Sequence, residues 1–356
     1  MENADVLMNP VLLEQGIIAP VTQPTEWCAP IVVALKKDTE RIRMCVDLSH
    51  LNKFVRRERY QSATPAHAVA DITAESARVF TKLDAMKGYH QCPLDEGSQL
   101  LTTFITPFGR YKYLRAPYGI SSISEHYNRR MDEAFVGLTG FRRVVDDVLI
   151  FDSNVEEHAG HVRQFLQRCA EQQITLNTDK FVFAQSAIPF AGFIISSQGY
   201  RIDDSITTAI SRFPTPSNRT DLRSFFRLVN QLSSSTASIA TLLAPLRPFL
   251  STKNEFLWTA DVGEAFVAAK KDLTSAPTLS FFRHGKPTRL CTDASRQGLG
   301  FVLQQRDGDT GSWFKLGHVS CQVRSLAMQL LNWNCSLCPG LFSSAAFSLL
   351  VCLISL

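Results

Sequence analysis

The chain is 356 residues long, 45% hydrophobic and 20% charged, with a formal net charge of +4. That composition is ordinary for a globular chain of two or three domains rather than a disordered one, and the net charge is too small by itself to argue for a nucleic-acid partner. Nine cysteines, at 28, 45, 92, 169, 291, 321, 335, 338 and 352, are scattered with no signal peptide ahead of them. This predicts reduced thiols in a cytosolic or nuclear compartment.

Taken in chain order, Pro10–Gly16 reads as a short helical opening, and 31–36 and 41–48 as strands. Residues 36–59 are locally basic: Lys36, Lys37, Arg41, Arg43, Lys53, Arg56, Arg57 and Arg59 stand against four acids. Such a stretch suits phosphate contacts, although a solvated face is the commoner origin of a charge run. Val79–Asp84 reads as a strand leading into Gly88-Tyr-His-Gln91, and 101–118 as a hairpin turned at Pro107-Phe-Gly109. A helix is expected over 124–135, and the spacing of Val162, Phe165, Leu166 and Cys169 predicts another over 155–172. His158 and His161 lie three apart on it with no third ligand, so both are expected at the surface. An apolar hairpin is expected over 187–202, helical segments over 204–250 and around 265–273, and a new β pattern from Thr288. Cys335 and Cys338 form a lone CxxC, weak grounds for zinc. From Ser325 to Leu356 no residue is charged. Its apolar part is borderline for the roughly 20 residues of a membrane helix, and the tail is read as non-native sequence, with a C-terminal membrane anchor as the other reading.

The feature richest in chemistry is the pair Asp146-Asp147 inside Phe141-Arg-Arg-Val-Val-Asp-Asp-Val-Leu-Ile-Phe151. The flanks are rich in Val, Ile and Phe and read as the two strands of a hairpin. Adjacent carboxylates repel and resist desolvation, and burying one unpaired charge costs several kcal/mol or more. A divalent cation removes that difficulty, because hard oxygen ligands suit Mg²⁺. An exposed Asp-Asp turn is the alternative.

Around this pair, motifs follow one another in order. They are Leu13-Glu-Gln-Gly-Ile-Ile18, Pro24-Thr-Glu-Trp-Cys-Ala-Pro30 and Cys45-Val-Asp-Leu-Ser-His-Leu-Asn-Lys53. Next come Phe80-Thr-Lys-Leu-Asp-Ala-Met-Lys-Gly-Tyr-His-Gln91, Thr103-Phe-Ile-Thr-Pro-Phe-Gly-Arg-Tyr111, Ala116-Pro-Tyr-Gly-Ile120 and Val144-Val-Asp-Asp147. Phe190-Ala-Gly-Phe193, Arg223-Ser-Phe-Phe-Arg-Leu-Val-Asn230, Phe256-Leu-Trp-Thr259 and Leu290-Cys-Thr-Asp-Ala-Ser295 continue the series. Together they resemble the reverse transcriptase of gypsy-type long-terminal-repeat retrotransposons, running into the start of a ribonuclease H domain.

The resemblance implies an α+β right-hand polymerase with a partial ribonuclease H-like β-sheet behind it. Fingers and palm would fill 1–200, with fingers at about 1–80 and 101–115 and palm at about 81–100 and 116–200. The thumb would follow at 203–250, a connection at 251–286, a truncated ribonuclease H-like domain at 287–325 and the uncharged tail at 326–356. The implied activity is RNA-directed DNA synthesis. Its partners would be a primed RNA or DNA template and deoxynucleoside triphosphates, and its cofactor two Mg²⁺ ions, with Mn²⁺ as substitute. Asp84, Asp146 and Asp147 would anchor the metals, which stabilise the attacking and departing oxygens. Lys36 and Arg43 would reach the triphosphate, with Lys37 as a neighbour able to replace Lys36 after a shift of register. Tyr89 would sit against the sugar and exclude a 2′-hydroxyl, over a floor of Tyr118 and Gly119. Val144, Phe190, Ala191 and Gly192 would contact the primer, though strand packing accounts for the last three almost as well. Template and primer would be held by phosphate contacts and shape.

Three departures from the family pattern stand out. Val144 replaces the usual Tyr or Met two residues before Asp146. Ile123-Ser124 replaces Ala-Pro, removing a proline suited to a helix start, with Ser124 expected to serve as N-cap instead. Of the ribonuclease H carboxylates only the first, Asp293, is present, and no Asp or Glu follows Arg324. The expectation is therefore a polymerase without ribonuclease H cleavage, or a catalytically silent remnant that binds nucleic acid or a partner.

Overall fold

The structure, a computed structural model, describes residues 10–35, 42–232, 236, 238–294, 299–308 and 311–321. Lys36, Lys37, the tail from 326 and its Cys335–Cys338 pair lie outside the described residues, and Arg43 and Asp293 are described by their backbone.

Helix α1 (Pro10–Glu14) unwinds at Gly16, whose φ of +61° suits a residue without Cβ, into β1 (Ile18–Pro20). Strands β2 (Ile31–Leu35) and β3 (Ile42–Val46) form an antiparallel pair in which Ala34 lies opposite Arg43. Helix α2 (Pro65–Ala70) opens with Pro at its first turn and the Thr64 side chain accepting from His67 N. After β4 (Val79–Asp84) comes α3 (Glu96–Leu101), a helix absent from the expectations, capped by Asp95 accepting from Ser98 N. The hairpin expected over 101–118 is narrower. It consists of β5 (Phe104–Thr106) and β6 (Gly109–Tyr113), and β1 adds to it as a third strand.

The central sheet is built next. Helix α4 (Ile123–Ala134) precedes β7 (Phe141–Val144) and β8 (Asp147–Asp152); then follow α5 (Val155–Glu171) and β9 (Val182–Gln185). The strand order is β7-β8-β4-β9. Because side chains alternate across a strand, each strand serves two cores. Leu83, Val148 and Ile150 face α4 and α5, joining Tyr127, Met131, Val162 and Phe165. Phe80, Leu149 and Phe151 face the other way. There they meet β10 (Ala187–Phe190), β11 (Phe193–Ser196) and β12 (Gly199–Ile202), a three-stranded sheet where a hairpin was expected. Helices α6 (Asp204–Ser211), α7 (Arg219–Gln231), α8 (Ile239–Leu242) and α9 (Ala260–Thr274) close that core through Ile210, Phe225, Leu243 and Phe266. A last antiparallel sheet, β13 (Thr288–Ala294), β14 (Leu299–Arg306) and β15 (Trp313–Cys321), places Asp293 opposite Gly300. No helix of the described residues is long and apolar enough to cross a membrane.

Two expectations need correction. Ser124 does not cap α4: the helix begins one residue earlier, at Ile123, on a Ser122 that makes no side-chain cap, and it is held instead by the buried Ile123, Tyr127 and Met131. His158 is not at the surface. It is fully buried, with Nδ1 2.7 Å from Asp152 Oδ2 and Nε2 2.6 Å from Thr81 Oγ1. His161 Nδ1 lies 2.6 Å from the other Asp152 oxygen and is the more open of the two. These polar contacts meet on the sheet face that α5 covers, so the helix presents a histidine inward where an apolar side chain would otherwise sit.

Candidate functional site

The site grows out of the pairing of β4 with β8. Asp84 and Asp147 are directly opposite, so both carboxylates project from one face of the sheet at its end. Val144 pairs with Asp147, leaving Val145 and Asp146 as the two-residue turn of the β7–β8 hairpin. Ala85 N donates to Asp146 O at 2.9 Å and pins the turn to the end of β4. Val145 has φ +54°, a left-handed backbone that a β-branched residue rarely takes. The surroundings impose it. Arg143 Nη1 donates to Val145 O at 2.8 Å and to Asn128 Oδ1 at 2.7 Å, while Nη2 reaches Asn128 O and the Asp132 carboxylate, so α4 clamps the turn.

The three carboxylates have different surroundings. Asp84 is 9% exposed, and Lys180 Nζ donates to its Oδ2 at 2.9 Å. Lys180 is brought there by the strap after α5, where Asn177 N donates to Asp84 O at 2.8 Å. Asp147 Oδ1 lies 3.2 Å from Lys82 Nζ, on the same sheet face two residues before Asp84. Asp146 Oδ1 is buried without a hydrogen-bond partner, as is the nearby Tyr127 hydroxyl. Burial pushes the Asp146 carboxyl above the usual carboxylate range; the Tyr127 hydroxyl opposes this, and the charges of Asp84 and Asp147 add to it. Tyr127 Oη thus lies close enough to act on the Asp146 charge without completing a hydrogen bond of regular geometry. Gly88 makes the crowding workable, because a Cβ there would fall on Asp146 Oδ1 and within 2.6 Å of Tyr127 Cζ and Oη.

An orphaned carboxylate oxygen between two further carboxylates suits a hard divalent cation. Among the described residues, no three His, Cys, Asp or Glu side chains stand placed to hold a metal ion together. The donor chemistry fits, with two of the three carboxylates engaged by lysines.

Beside the carboxylates lies an aromatic cluster. Tyr89, in the turn Gly88–Gln91, stands 4.9 Å from the Tyr118 ring and 5.4 Å, edge-on, from Tyr127. Tyr118 is half exposed, and Gly119 has φ +103°. Asn52 fixes this loop from the N-terminal segment: its Nδ2 donates to Gly119 O, and its Oδ1 accepts from Ser121 N, both at 2.8 Å. The His90 ring lies 5.1 Å from Tyr118, and burial together with Lys87 and Arg115 lowers its pKa to about 4. A separate cleft of about 300 Å³, between Leu51, Arg56 and Glu58 on one side and Leu94 and Ser98 on the other, does not include the carboxylates.

At the β10–β11 turn, Ala191 and Gly192 both have positive φ, +49° and +94°, as a tight two-residue hairpin requires. Phe190 is fully buried in the core against the helices, so contact with a ligand at this hairpin is left to the Ala191–Gly192 turn and the backbone. Val144 is partly buried and packs against the same core.

The structure therefore brings together Asp84, Asp146, Asp147, Tyr89, Tyr118 and Gly119. Sequence reasoning missed Lys82, Lys180, Gly88, Tyr127, Arg143, Asn128 and Asn52. Only Lys82 carried a local signal, since strand alternation puts it on the Asp84 face. Lys180 lies 96 residues from its partner.

Residues 34–195 match the family described as reverse transcriptase (RNA-dependent DNA polymerase), and residues 258–330 match an RNase H-like domain found in reverse transcriptase. The Tf2-3 transposon polyprotein of Schizosaccharomyces pombe is 31% identical over 314 residues, covering 87% of this chain. The Tf2-7 polyprotein of the same yeast is 30% identical over the same length. The chain spans 23% of the length of these relatives. In fold, it superposes on the foamy viral protease-reverse transcriptase solved with an RNA/DNA hybrid at a TM-score of 0.76, with 18% identity, covering 92% of this chain and 45% of the other. The same viral protein solved with double-stranded DNA gives 0.75, with 18% identity, over 94% of this chain and 72% of the other. The architecture is the α+β right-hand polymerase plan followed by an RNase H-like sheet.

Proposed function

We propose, from the premise that this chain carries the reverse-transcriptase and RNase H-like domains of a retrotransposon polyprotein, that it extends a primer on an RNA or DNA template. The observation that carries this reading is the Asp84–Asp147 register pair capped by Asp146, with its orphaned oxygen, beside the Tyr89–Tyr118 cluster.

Asp84, Asp146 and Asp147 would hold two Mg²⁺ ions, with Mn²⁺ as substitute. When bound, the ions lower the cost of charge on the attacking 3′-oxygen and on the departing pyrophosphate. The chain's own residues supply position. The Arg143–Asn128 clamp and the Ala85–Asp146 contact hold the carboxylate turn rigid relative to β4. Tyr89, wedged between Tyr118 and Tyr127, would press on the sugar of the incoming nucleotide where a 2′-hydroxyl would project, which favours deoxyribonucleotides. Asn52 would keep the Tyr118–Gly119 floor in place. Lys36 and Arg43 would neutralise the triphosphate. Val144 and the Ala191–Gly192 turn, with the backbone at Phe190, would support the primer end.

The foamy viral neighbours bound to double-stranded DNA and to RNA/DNA hybrid support a nucleic-acid duplex as the partner here. Phosphate contacts dominate such binding, so it weakens steeply with salt. For the RNase H-like region we propose that residues 287–356 do not by themselves form a nuclease site, because the resemblance matches Asp293 alone there and a two-metal nuclease needs several carboxylates.

The test is extension of a primed RNA homopolymer with Mg²⁺ and labelled deoxynucleotide, comparing the wild type with Asp146→Asn. Aspartate-dependent incorporation, lost by a factor on the order of 10² or more in a variant of unchanged circular dichroism, is expected. Incorporation insensitive to Asp146 refutes the site. A folded wild type without incorporation favours the silent, nucleic-acid-binding remnant.

A further inference from the structure

We infer that Lys82 and Lys180 are built-in counter-cations of the carboxylate site, and that a divalent ion gains Asp84 and Asp147 by displacing them. This rests on the reading that the three aspartates hold a cation, and it assigns two residues to the entry step of that cation.

The argument begins with the strand pairing. Asp84 and Asp147 are direct cross-strand partners, an arrangement in which like charges are destabilising. Folding cannot relieve this by turning one side chain away, because alternation fixes both on the same face. Each carboxylate instead has its own ammonium group, delivered from a different element. Lys82 comes from β4 itself, with Nζ 3.2 Å from Asp147 Oδ1, and Lys180 from the strap after α5, with Nζ 2.9 Å from Asp84 Oδ2. Asp146 receives neither lysine, and its Oδ1 is left buried and unpartnered. Three carboxylates and two ammonium groups leave a single uncompensated oxyanion at the place where a cation would be held most directly. Arg143, the other cation acting on Asp146, is committed to Asn128, Val145 O and Asp132 and cannot take this part.

The two pairs differ in which partner faces solvent. The Lys180 side chain is 58% exposed, whereas that of Lys82 is 22% exposed. Lysine is a point charge on a flexible stem, so a half-solvated one exchanges its partner for water at little cost. Exposed pairs are worth little, and enclosed ones more. The carboxylates run the other way, Asp84 being 13% exposed and Asp147 33%, and the Lys180–Asp84 contact is the shorter, so each pair is open on one side and enclosed on the other.

The experiment is a Mn²⁺ titration of the full chain without nucleic acid, read by the loss of the free-ion electron paramagnetic resonance signal. Lys180→Met and Lys82→Met should each bind Mn²⁺ about two- to fivefold more tightly, the factors that such ion pairs correspond to. Lys180→Arg, which keeps the charge and the reach, should bind as the wild type does. Lys87→Met serves as a control for the general field, because Lys87 is a nearby cation whose Nζ is engaged by Gln15 rather than by a site carboxylate. It should leave the affinity unchanged. If the two Met variants match the wild type while Asp146→Asn binds weakly, the lysine assignment falls and the metal site stands. A Lys87→Met that tightens as much as the others also overturns the assignment. Should Asp146→Asn bind as well as the wild type, the site reading itself fails. Lys180→Met, at a largely exposed position, keeps the test valid even if Lys82→Met does not fold.

Discussion

Replacing Gly88 by alanine tests the crowding at the aspartate turn. The added Cβ would lie 2.6 Å from Tyr127 Cζ and Oη, whereas ordinary contact begins near 3.4 Å, so something must yield by about 0.8 Å. Tyr127 cannot supply that movement cheaply: it is 1% exposed and packed among Leu83, Met131 and Phe165. The Asp146 carboxylate, on which the same Cβ would fall, is the softer neighbour. Overpacking of this kind costs about 1–3 kcal/mol. In a unit of about 200 residues, that lowers Tm by roughly 2–4 °C per kcal/mol. Displacing a reacting group by about 1 Å costs on the order of 10² in rate. Single-turnover primer extension at saturating nucleotide and calorimetry on the same preparation give both readings. Gly160→Ala, at a helical position where a Cβ meets nothing within 4 Å, is the control and should leave extension unchanged. A Gly88→Ala protein indistinguishable from wild type in rate and Tm would show that Asp146 does not need its present position, and the reasoning would fail.

Other substitutions probe the supports around this turn. Asn52→Ala removes both hydrogen bonds that fix the Tyr118–Gly119 loop; at about 1 kcal/mol each, a rise in nucleotide KM of up to roughly thirtyfold with a smaller change in kcat is expected, and an unchanged KM would remove the loop from the nucleotide site. His158→Leu leaves Asp152 Oδ2 without its ring partner in the core, while Thr81 Oγ1 keeps its bond from Ala184 N, so the urea midpoint should fall by the equivalent of about 3 kcal/mol at constant m-value; an unaltered midpoint would mean the network contributes nothing. His90 gives a pH signature. Its folded pKa, lowered to about 4, lies below the ordinary 6.5, so the stability it contributes is present above pH 6.5 and lost as pH falls towards 4. His90→Gln should flatten the acid limb of a Tm-against-pH curve between those values, and superimposable curves would contradict the burial of the neutral ring.

What was legible beforehand was the local record of which face is apolar and which residues interrupt it. Val79–Asp84 and the two flanks of Asp146-Asp147 read as strands because Val, Ile, Leu and Phe alternate or run together there, and they form β4, β7 and β8. The apolar spacing around Val162 and Cys169 marks a helix that forms over Val155–Glu171. Helix α3 escaped notice, since Glu96-Gly-Ser-Gln-Leu-Leu101 is short and holds a glycine; its cap by Asp95 and its packing beside β6 sustain it. The three aspartates and the hairpin that carries two of them could be read without the fold, because charge against an apolar strand pattern is visible one residue at a time. Tertiary structure alone decided that Asp84 faces Asp147 in register, that Lys180 crosses from a distant strap to meet it, and that Tyr127 leaves room only for Gly88. It also turned His158 inward and Phe190 into the core. Periodicity records which way a side chain points from its own element. It does not record which other element waits there, and the electrostatics of this site depend on that second fact.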